Sequence, residues 1–329
     1  MQSNLPYPCV FVMNELRKDY LLDRWVIIAK DRGKRPTDFI QKPRVEKPKV
    51  CFFCPGNEHM TPPEIDRVEE NGKWIIRCFP NKFPAATTEF GEIEENFLVK
   101  QPAYGKHEVI AETPNHNEHL NELSVGHIVR ILDMYSSRIN EIKRDEKIRY
   151  VMIFKNQGSA AGASLDHSHT QVIGLPMVPR LVKEETEAAM RYREEKGNCP
   201  FCDIHSYEAK RERLILEDDY TISFAPFASR FPFEVWIMPK RHVRFLDDLN
   251  DEEKHSFAKM LKKILRKLHF SLNKPPYNFW FHQSPDDGDL HLHLELAPRL
   301  AKFAGMELGS EIVINVVPPE LAAQHYREK

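Results

Sequence analysis

His167-Ser168-His169-Thr170-Gln171-Val172-Ile173-Gly174-Leu175 is the stretch on which the reading of this chain turns. Its period of two predicts a β-strand over 167–175 with His167, His169 and Gln171 on one face. Neighbours in that row stand about 6.6 Å apart, two residues of strand rise. Two imidazoles and a carboxamide in line, after the Gly/Ala/Ser loop of 158–164, suit nucleophilic chemistry on a phosphate. Taken alone, the same row also describes the hydrogen-bonded polar end of an ordinary strand.

Outward from this stretch the chain repeats itself. Cys51-Phe52-Phe53-Cys54, Pro114-Asn115-His116, Leu120-Asn121-Glu122-Leu123, Asn156-Gln157-Gly158 and His167-x-His169 form the first series. Cys199-Pro200-Phe201-Cys202, Pro239-Lys240-Arg241-His242, Leu246-Asp247-Asp248-Leu249, His282-Gln283-Ser284 and His291-x-His293 form the second, in the same order. The spacing from middle to last histidine hardly changes, while the first half is longer between its cysteines and His116. The expected organisation is therefore an internal duplication, with one unit over 1–180 and the other over 181–329.

One long helix is predicted after each middle histidine. Ser124 can cap a segment whose apolar residues Val125, Ile128, Leu132, Tyr135, Ile139 and Ile142 recur every three or four positions. Asn250 and Glu253 form a capping-box-like start before Phe257, Met260, Leu261, Ile264, Leu265 and Leu268. Strands are predicted at 24–29, 74–79, 107–112, 149–154, 219–224, 233–238, 278–282 and 289–296. The charged stretch 180–198 reads as a helical linker.

Four N or S ligands in a tetrahedron suit zinc, and a C-x-x-C turn supplies two thiolates. A single such pair is equally a redox site; two pairs, each followed by the same two histidines, favour metal. Cys51, Cys54, His116 and His167 make one Cys₂His₂ set, and Cys199, Cys202, His242 and His291 the other. The remaining Cys9 and Cys78 are expected to be inert buried thiols.

Composition limits the partners. The 329 residues carry a formal net charge of −2, with 41% hydrophobic and 29% charged residues, as in an ordinary soluble domain pair. A near-neutral chain with little aromatic interleaving of its basic stretches argues against a nucleic-acid binder, and no apolar run approaches a membrane span. The N-terminus shows no secretory pattern, so a cytoplasmic setting is expected.

Several segments together resemble the galactose-1-phosphate uridylyltransferase family, a branch of the histidine triad superfamily. They are Arg32-Gly33-Lys34-Arg35-Pro36, Cys51-x-x-Cys54-Pro55-Gly56-Asn57-Glu58, Phe79-Pro80-Asn81-Lys82-Phe83-Pro84 and His167-Ser168-His169-Thr170-Gln171. The resemblance runs from Asp23-Arg24-Trp25-Val26 to Val317-Pro318-Pro319-Glu320. It implies an α+β fold class of paired histidine-triad-like domains, each an antiparallel sheet packed against helices, a homodimer, a nucleotide sugar and a sugar 1-phosphate as substrates, and His169 as nucleophile beside the zinc ligand His167. It also implies that Arg32 and Arg35 approach the nucleotide's phosphates, that Asn81 lies near the nucleoside, and that Lys302 and Glu307 meet the sugar phosphate and hexose, with Gln283 grouped beside them.

Chemistry adds to this. A neutral imidazole can displace a sugar 1-phosphate from the α-phosphorus and hold the nucleotide as a phosphoramidate. Gln171 stands where hydrolytic histidine triad proteins carry a third histidine; it cannot protonate a leaving group, and a leaving phosphate needs no such acid. Its NH₂ can donate to a phosphoryl oxygen. Asn156, Gly162 and Ser164 lie in the preceding loop, where backbone N–H groups and a hydroxyl can cradle phosphate.

Two features depart from the uridylyltransferase pattern. Ser168 replaces the proline between the histidines, and Ile312-Val313-Ile314 stands where a hexose-gripping glutamine is usual. Ser168 also resembles the ADP-glucose phosphorylase-like branch. Uridylyl transfer between UDP-sugar and hexose 1-phosphate is the first expectation, adenylyl transfer to phosphate the second, and a non-enzymatic zinc module binding nucleic acid the third. Glu295 stands where Gln171 would be repeated, so the second half is expected to be non-catalytic and to contact sugar.

Overall fold

A computed structural model describes residues 15–28, 50–89, 94–95, 97 and 99–328. Cys9, Arg32 and Arg35 lie outside the described residues. In the first half the strands are β1 (Glu15–Lys18), β2 (Trp25–Ile28), β3 (Asp66–Glu70), β4 (Lys73–Pro80), β5 (Glu94–Glu95), β6 (Val99–Lys100) and β7 (Lys106–Ala111). Helix α1 (Val125–Lys143), β8 (Tyr150–Gln157) and β9 (His169–Leu175) complete it. The second half comprises α2 (Arg180–Lys196), α3 (Pro200–Glu208), β10 (Leu214–Glu217), β11 (Thr221–Phe224), β12 (Val235–Pro239) and α4 (Asp251–Ser271). There follow β13 (Tyr277–His282), β14 (His293–Pro298), α5 (Gly305–Ser310), β15 (Val313–Asn315) and α6 (Pro319–Glu328).

Ten strands form one sheet in the order β10-β11-β12-β14-β13-β8-β9-β7-β4-β3, with every neighbouring pair antiparallel. The order inward from one edge, β3-β4-β7-β9-β8, has the same sequence logic as β10-β11-β12-β14-β13 from the other. The two runs meet where β8 pairs with β13, Phe154 opposite Trp280 and Asn156 opposite Asn278. The extra length of the first half lies between β4 and β7 and contains the β5–β6 hairpin. A separate three-stranded sheet joins β1 and β2 to β15 near the chain's other end.

Alternation along the strands makes two faces. On β12, Val235 and Ile237 join one buried cluster, whereas Trp236 and Met238 join another. The first face packs against α1 and α4 through Ile131, Ile139, Leu261 and Ile264, facing Ile153, Val172, Phe281 and Leu294. Full burial of side chains of this size contributes about 1.5–3 kcal/mol each. Both helices start on the predicted caps: Ser124 Oγ accepts from His127 N–H (3.1 Å), and Asn250 and Glu253 exchange side-chain-to-backbone bonds of 2.9 Å. No helix among the described residues is long and apolar enough to cross a membrane.

On the opposite face the halves differ. In the second, α2 and α3 bury Val182, Ala189, Phe201 and Ile204 against Phe224 and Trp236. The stretch 180–198 is thus helical as expected, but it is packed cover rather than a free linker, because Val182, Ala188 and Ala189 fall on one buried stripe. The predicted strand at 289–296 begins only at His293. His291 and Leu292 precede it, held by His291 Nε2–H to the Pro239 carbonyl (2.9 Å) and Leu292 N–H to the Val243 carbonyl (2.8 Å).

Gly174 sets how closely α1 approaches β9. A Cβ there would lie 2.5 Å from Ile142 Cγ2 and 3.3 Å from Ile148 Cγ2, both buried. Gly174→Ala is expected to lower stability by about 1–3 kcal/mol in urea unfolding, the range for overpacking a tight core. An unchanged midpoint would show that the helix yields freely.

Candidate active site and metal centres

The turn at Cys51–Cys54 is closed by Asn57, whose Nδ2 donates to the Cys51 carbonyl at 2.8 Å. It faces His116 and His167: Cys51 Sγ to His167 Nδ1 is 3.4 Å, Cys54 Sγ to His116 Nδ1 is 3.5 Å, and Cys54 Sγ to His167 Nδ1 is 3.6 Å. Metal bonds of about 2.3 Å to sulfur and about 2.0–2.1 Å to nitrogen, at a tetrahedral angle, require S···N edges of about 3.5–3.6 Å. His167 Nε2–H donates to the Thr113 carbonyl (2.7 Å), which leaves Nδ1 bare toward the thiols, as metal-binding imidazoles are commonly oriented.

The second set converges likewise, its four ligand atoms lying within 4.8 Å of one another, as do those of the first. Cys202 Sγ is 3.6 Å and Cys199 Sγ 3.9 Å from His291 Nδ1. His242 Nε2–H donates to Asp289 Oδ1 (2.8 Å), while its buried Nδ1 has no hydrogen-bond partner and belongs to the cluster. Here Cys199 is the residue that opens α3, so the pair is carried on a helix rather than on a turn. Both sets fit a thiophilic divalent ion.

A third group was not anticipated from sequence. Glu185, His282, His293 and Glu295 are all buried and bring four ligand atoms within 4.8 Å. His282 Nδ1 faces Glu185 Oε2 at 2.8 Å, Glu295 Oε1 lies 3.8 Å from His293 Nε2, and this O/N set suits a cation. The alternation His291-x-His293-x-Glu295 was a signal for it, but Glu185 comes from the charged stretch 180–198 and only the packing of α2 brings it in.

His169 opens β9 and faces away from α1, beside the edge of the Phe53 ring (5.5 Å). Its Nδ1–H donates to the His167 carbonyl at 2.8 Å. A carbonyl only accepts, so the proton sits on Nδ1 and the lone pair of the neutral ring on Nε2. Burial, assisted by the Lys155 charge, pushes the His169 pKa down to about 4.

Behind the strand lies a buried charge pair. Lys155 Nζ donates to Glu112 Oε2 (2.6 Å), Ser168 Oγ (3.0 Å) and the His169 carbonyl (2.9 Å), three acceptors for three ammonium protons. Ser168 Oγ–H donates to Glu112 Oε2 (2.5 Å), and Tyr135 and Thr170 donate to Glu112 Oε1. Burial opposes ionisation of Glu112, but Lys155 and these hydrogen bonds hold its pKa below the usual range. Neither charge was recognised in the sequence, where each ends an otherwise apolar strand segment.

The remaining predicted residues divide in two. Gln171 and Asn81 come together, with Asn81 Nδ2 3.4 Å from Gln171 Oε1. Asn156 Oδ1 accepts from Asn278 Nδ2 (2.7 Å), which also donates to the Ala161 carbonyl and braces the loop before β9. In that loop Gly158 and Gly162 take φ of 83° and 86°, and Ser164 is exposed. The others belong to the second half. Gln283 is buried with Oε1 on Leu246 N–H (3.0 Å). Lys302 is exposed, and Glu307 caps α5 by accepting from Ala304 N–H (2.9 Å).

Fold and site together define an antiparallel α+β protein with a strand-borne imidazole beside a Cys₂His₂ centre. The profile of the galactose-1-phosphate uridyl transferase N-terminal domain matches residues 10–179, and that of a domain of unknown function, DUF4921, matches 122–326. The chain is 38% identical to ADP-glucose phosphorylase of Arabidopsis thaliana over 95% of its length and 92% of the relative's. It is 32% identical to galactose-1-phosphate uridylyltransferase of Thermotoga maritima, over 96% and 98%. A crystal structure of an Arabidopsis thaliana ADP-glucose phosphorylase with bound ADP-glucose superposes with a TM-score of 0.83 at 35% identity, covering 96% of this chain and 99% of that one. This chain belongs to the galactose-1-phosphate uridylyltransferase family.

Removing Lys155 leaves Glu112 buried and unpaired. Lys155→Met is expected to cost about 3–5 kcal/mol in urea unfolding, with partial recovery in Lys155→Met/Glu112→Gln. A loss under about 1 kcal/mol would show that the pair is not ionised.

Proposed function

We propose that this chain is an enzyme that moves a nucleoside monophosphate from a nucleotide sugar to a phosphate acceptor through nucleotidyl-His169. The observation that carries the reading is the 2.8 Å bond from His169 Nδ1–H to the His167 carbonyl, which reserves Nε2 for attack. Nε2 bonds to the α-phosphorus, the bond from that phosphorus to the sugar 1-phosphate oxygen breaks, and the oxygen keeps the electron pair. A phosphate oxygen of the acceptor then attacks the same phosphorus and returns the lone pair to Nε2. Neither departure requires a proton donor, in keeping with glutamine at 171.

Gln171 NH₂ and the backbone N–H groups of the 158–164 loop, with Asn156, Gly162 and Ser164, stabilise charge on the phosphoryl oxygens. Arg32 and Arg35 serve the phosphates, and Asn81 the nucleoside, by family resemblance. Lys302 and Glu307 serve the sugar phosphate and the hexose, by the same resemblance; Gln283, its oxygen engaged by Leu246, has only its NH₂ for such contacts. The matching strand order of the two halves supports an internal duplication divided at 180/181, the second copy being non-catalytic. A homodimer is implied by the family alone.

For the donor, the identity with ADP-glucose phosphorylase and Ser168 between the histidines favour adenylyl transfer from ADP-glucose to phosphate. Uridylyl transfer from UDP-sugar to hexose 1-phosphate is the second reading, supported by the Thermotoga maritima relative. Zinc is the proposed occupant of both Cys₂His₂ sets, where it would clamp the cysteine-bearing segment to the chain entering the histidine strand.

Incubation with ADP-glucose or UDP-glucose, then intact mass of the denatured protein, is expected to show one nucleotidyl group per chain. His169→Ala, folded by circular dichroism, should show none. No adduct with either donor would overturn the proposal, and a uridylyl adduct alone would reverse the order of the two readings. Zinc content is expected to fall by one ion per chain in Cys51→Ser and by one in Cys199→Ser; unchanged content in either variant would remove that centre.

A further inference from the structure

A histidine outside both cysteine centres, His107, lies against Gln171. His107, on β7, pairs in register with Ile173, while Val109, two residues on, pairs with Gln171; the two polar side chains are therefore diagonal neighbours on the His169 face. The backbone N–H of Ala85 points at His107 Nδ1 at 3.1 Å. That N–H can only donate, so Nδ1 carries no proton and the neutral ring carries its proton on Nε2. Burial keeps the ring's pKa below the usual histidine value, consistent with the neutral form. Nε2–H then needs an acceptor, and Gln171 Oε1 lies 2.9 Å away.

Asn81 strengthens the arrangement. Its own Oδ1 accepts from Phe83 N–H (2.9 Å), which turns its NH₂ toward the His107–Gln171 pair, 3.3 Å from His107 Nε2 and 3.4 Å from Gln171 Oε1. Asn81 N–H also donates to the His107 carbonyl (2.8 Å), so the two residues hold each other in place. The oxygen end of Gln171 thus faces two donors and its NH₂ end is left for another partner. A freely rotating carboxamide would present its oxygen to a phosphoryl group part of the time, and two oxygens repel.

We propose that His107 is a positioning residue for phosphoryl transfer, fixing the Gln171 carboxamide so that its NH₂ and not its oxygen meets the α-phosphoryl group. This rests on the reading of His169 and Gln171 given above. The role follows from the fixed direction of the Ala85 N–H, which dictates in turn the His107 tautomer and the Gln171 rotamer.

The test is a double-mutant cycle on the single-turnover rate of nucleotidyl-His169 formation, with ADP-glucose and UDP-glucose each as donor. His107→Phe is expected to slow adduct formation at saturating donor at least about tenfold, with little change in the donor concentration for half-saturation. In a Gln171→Ala background His107→Phe should have no further effect, because its partner is gone. His107→Gln, which keeps a side-chain donor, should recover part of the rate. If Gln171→Ala slows adduct formation but His107→Phe has no effect, or an additive one, the inference falls and the functional reading stands. If no adduct forms in the unaltered protein, the functional reading falls first. Should His107→Phe fail to fold, ring ¹⁵N shifts of the unaltered protein decide: protonated Nε2 with bare Nδ1 is expected, and the opposite tautomer overturns the proposal.

Discussion

The rest of the site hangs on one hydrogen bond, from His169 Nδ1–H to the carbonyl of His167. It fixes the tautomer of the residue proposed to attack phosphorus. The carbonyl belongs to a residue whose side chain faces Cys51 and Cys54 and is locked by Thr113. Any shift of the cysteine turn is thereby transmitted to the imidazole through a single residue. From the other side, Lys155 holds the His169 carbonyl and Glu112 N–H holds that of Ser168. The backbone of 167–169 is thus pinned from both faces before any substrate arrives, which is the preorganisation that electrostatic catalysis requires.

The second half shows what the same topology does without access. His293 repeats the bond of His169, its Nδ1–H donating to the His291 carbonyl at 2.9 Å. Yet Phe201 stacks on its ring at 4.7 Å, Trp236 lies at 5.3 Å, and the residue is wholly buried. Glu295, in the place of Gln171, is paired with Arg230 at 2.6 Å. A nucleophile needs an open approach; here α2 and α3 occupy it. Among the described residues, the corresponding face of the first half carries the small cluster of Phe53, Phe79, Val109 and Ala111, and His169 keeps 6% exposure.

Much of this was legible in the chain, because local periodicity reports on which face a residue takes. The caps at Ser124 and Asn250, the stripes of α1 and α4, and the strands around Phe79, Ile110, Ile153 and Trp280 follow from spacing alone. The start of β14 did not follow: alternation from Leu290 to Leu296 is perfect, but His291 is drawn to Pro239 and the second cysteine set, which delays the strand until His293. Long-range partners were least legible. Glu112 with Lys155, Glu185 with His282, and His107 with Gln171 are joined by strand order and helix cover, and no local pattern marks one member of such a pair for the other.

The central claim is two successive displacements at one phosphorus, with His169 holding the nucleotide between them. In-line attack inverts configuration each time, so the account predicts net retention. A nucleotide-sugar donor made chiral with sulfur at the α-phosphorus, reacted with a phosphate acceptor and analysed for configuration in the product nucleotide, measures this directly. Retention is the expected result. Clean inversion would mean that donor and acceptor react in a single step, and would contradict the covalent role assigned to His169.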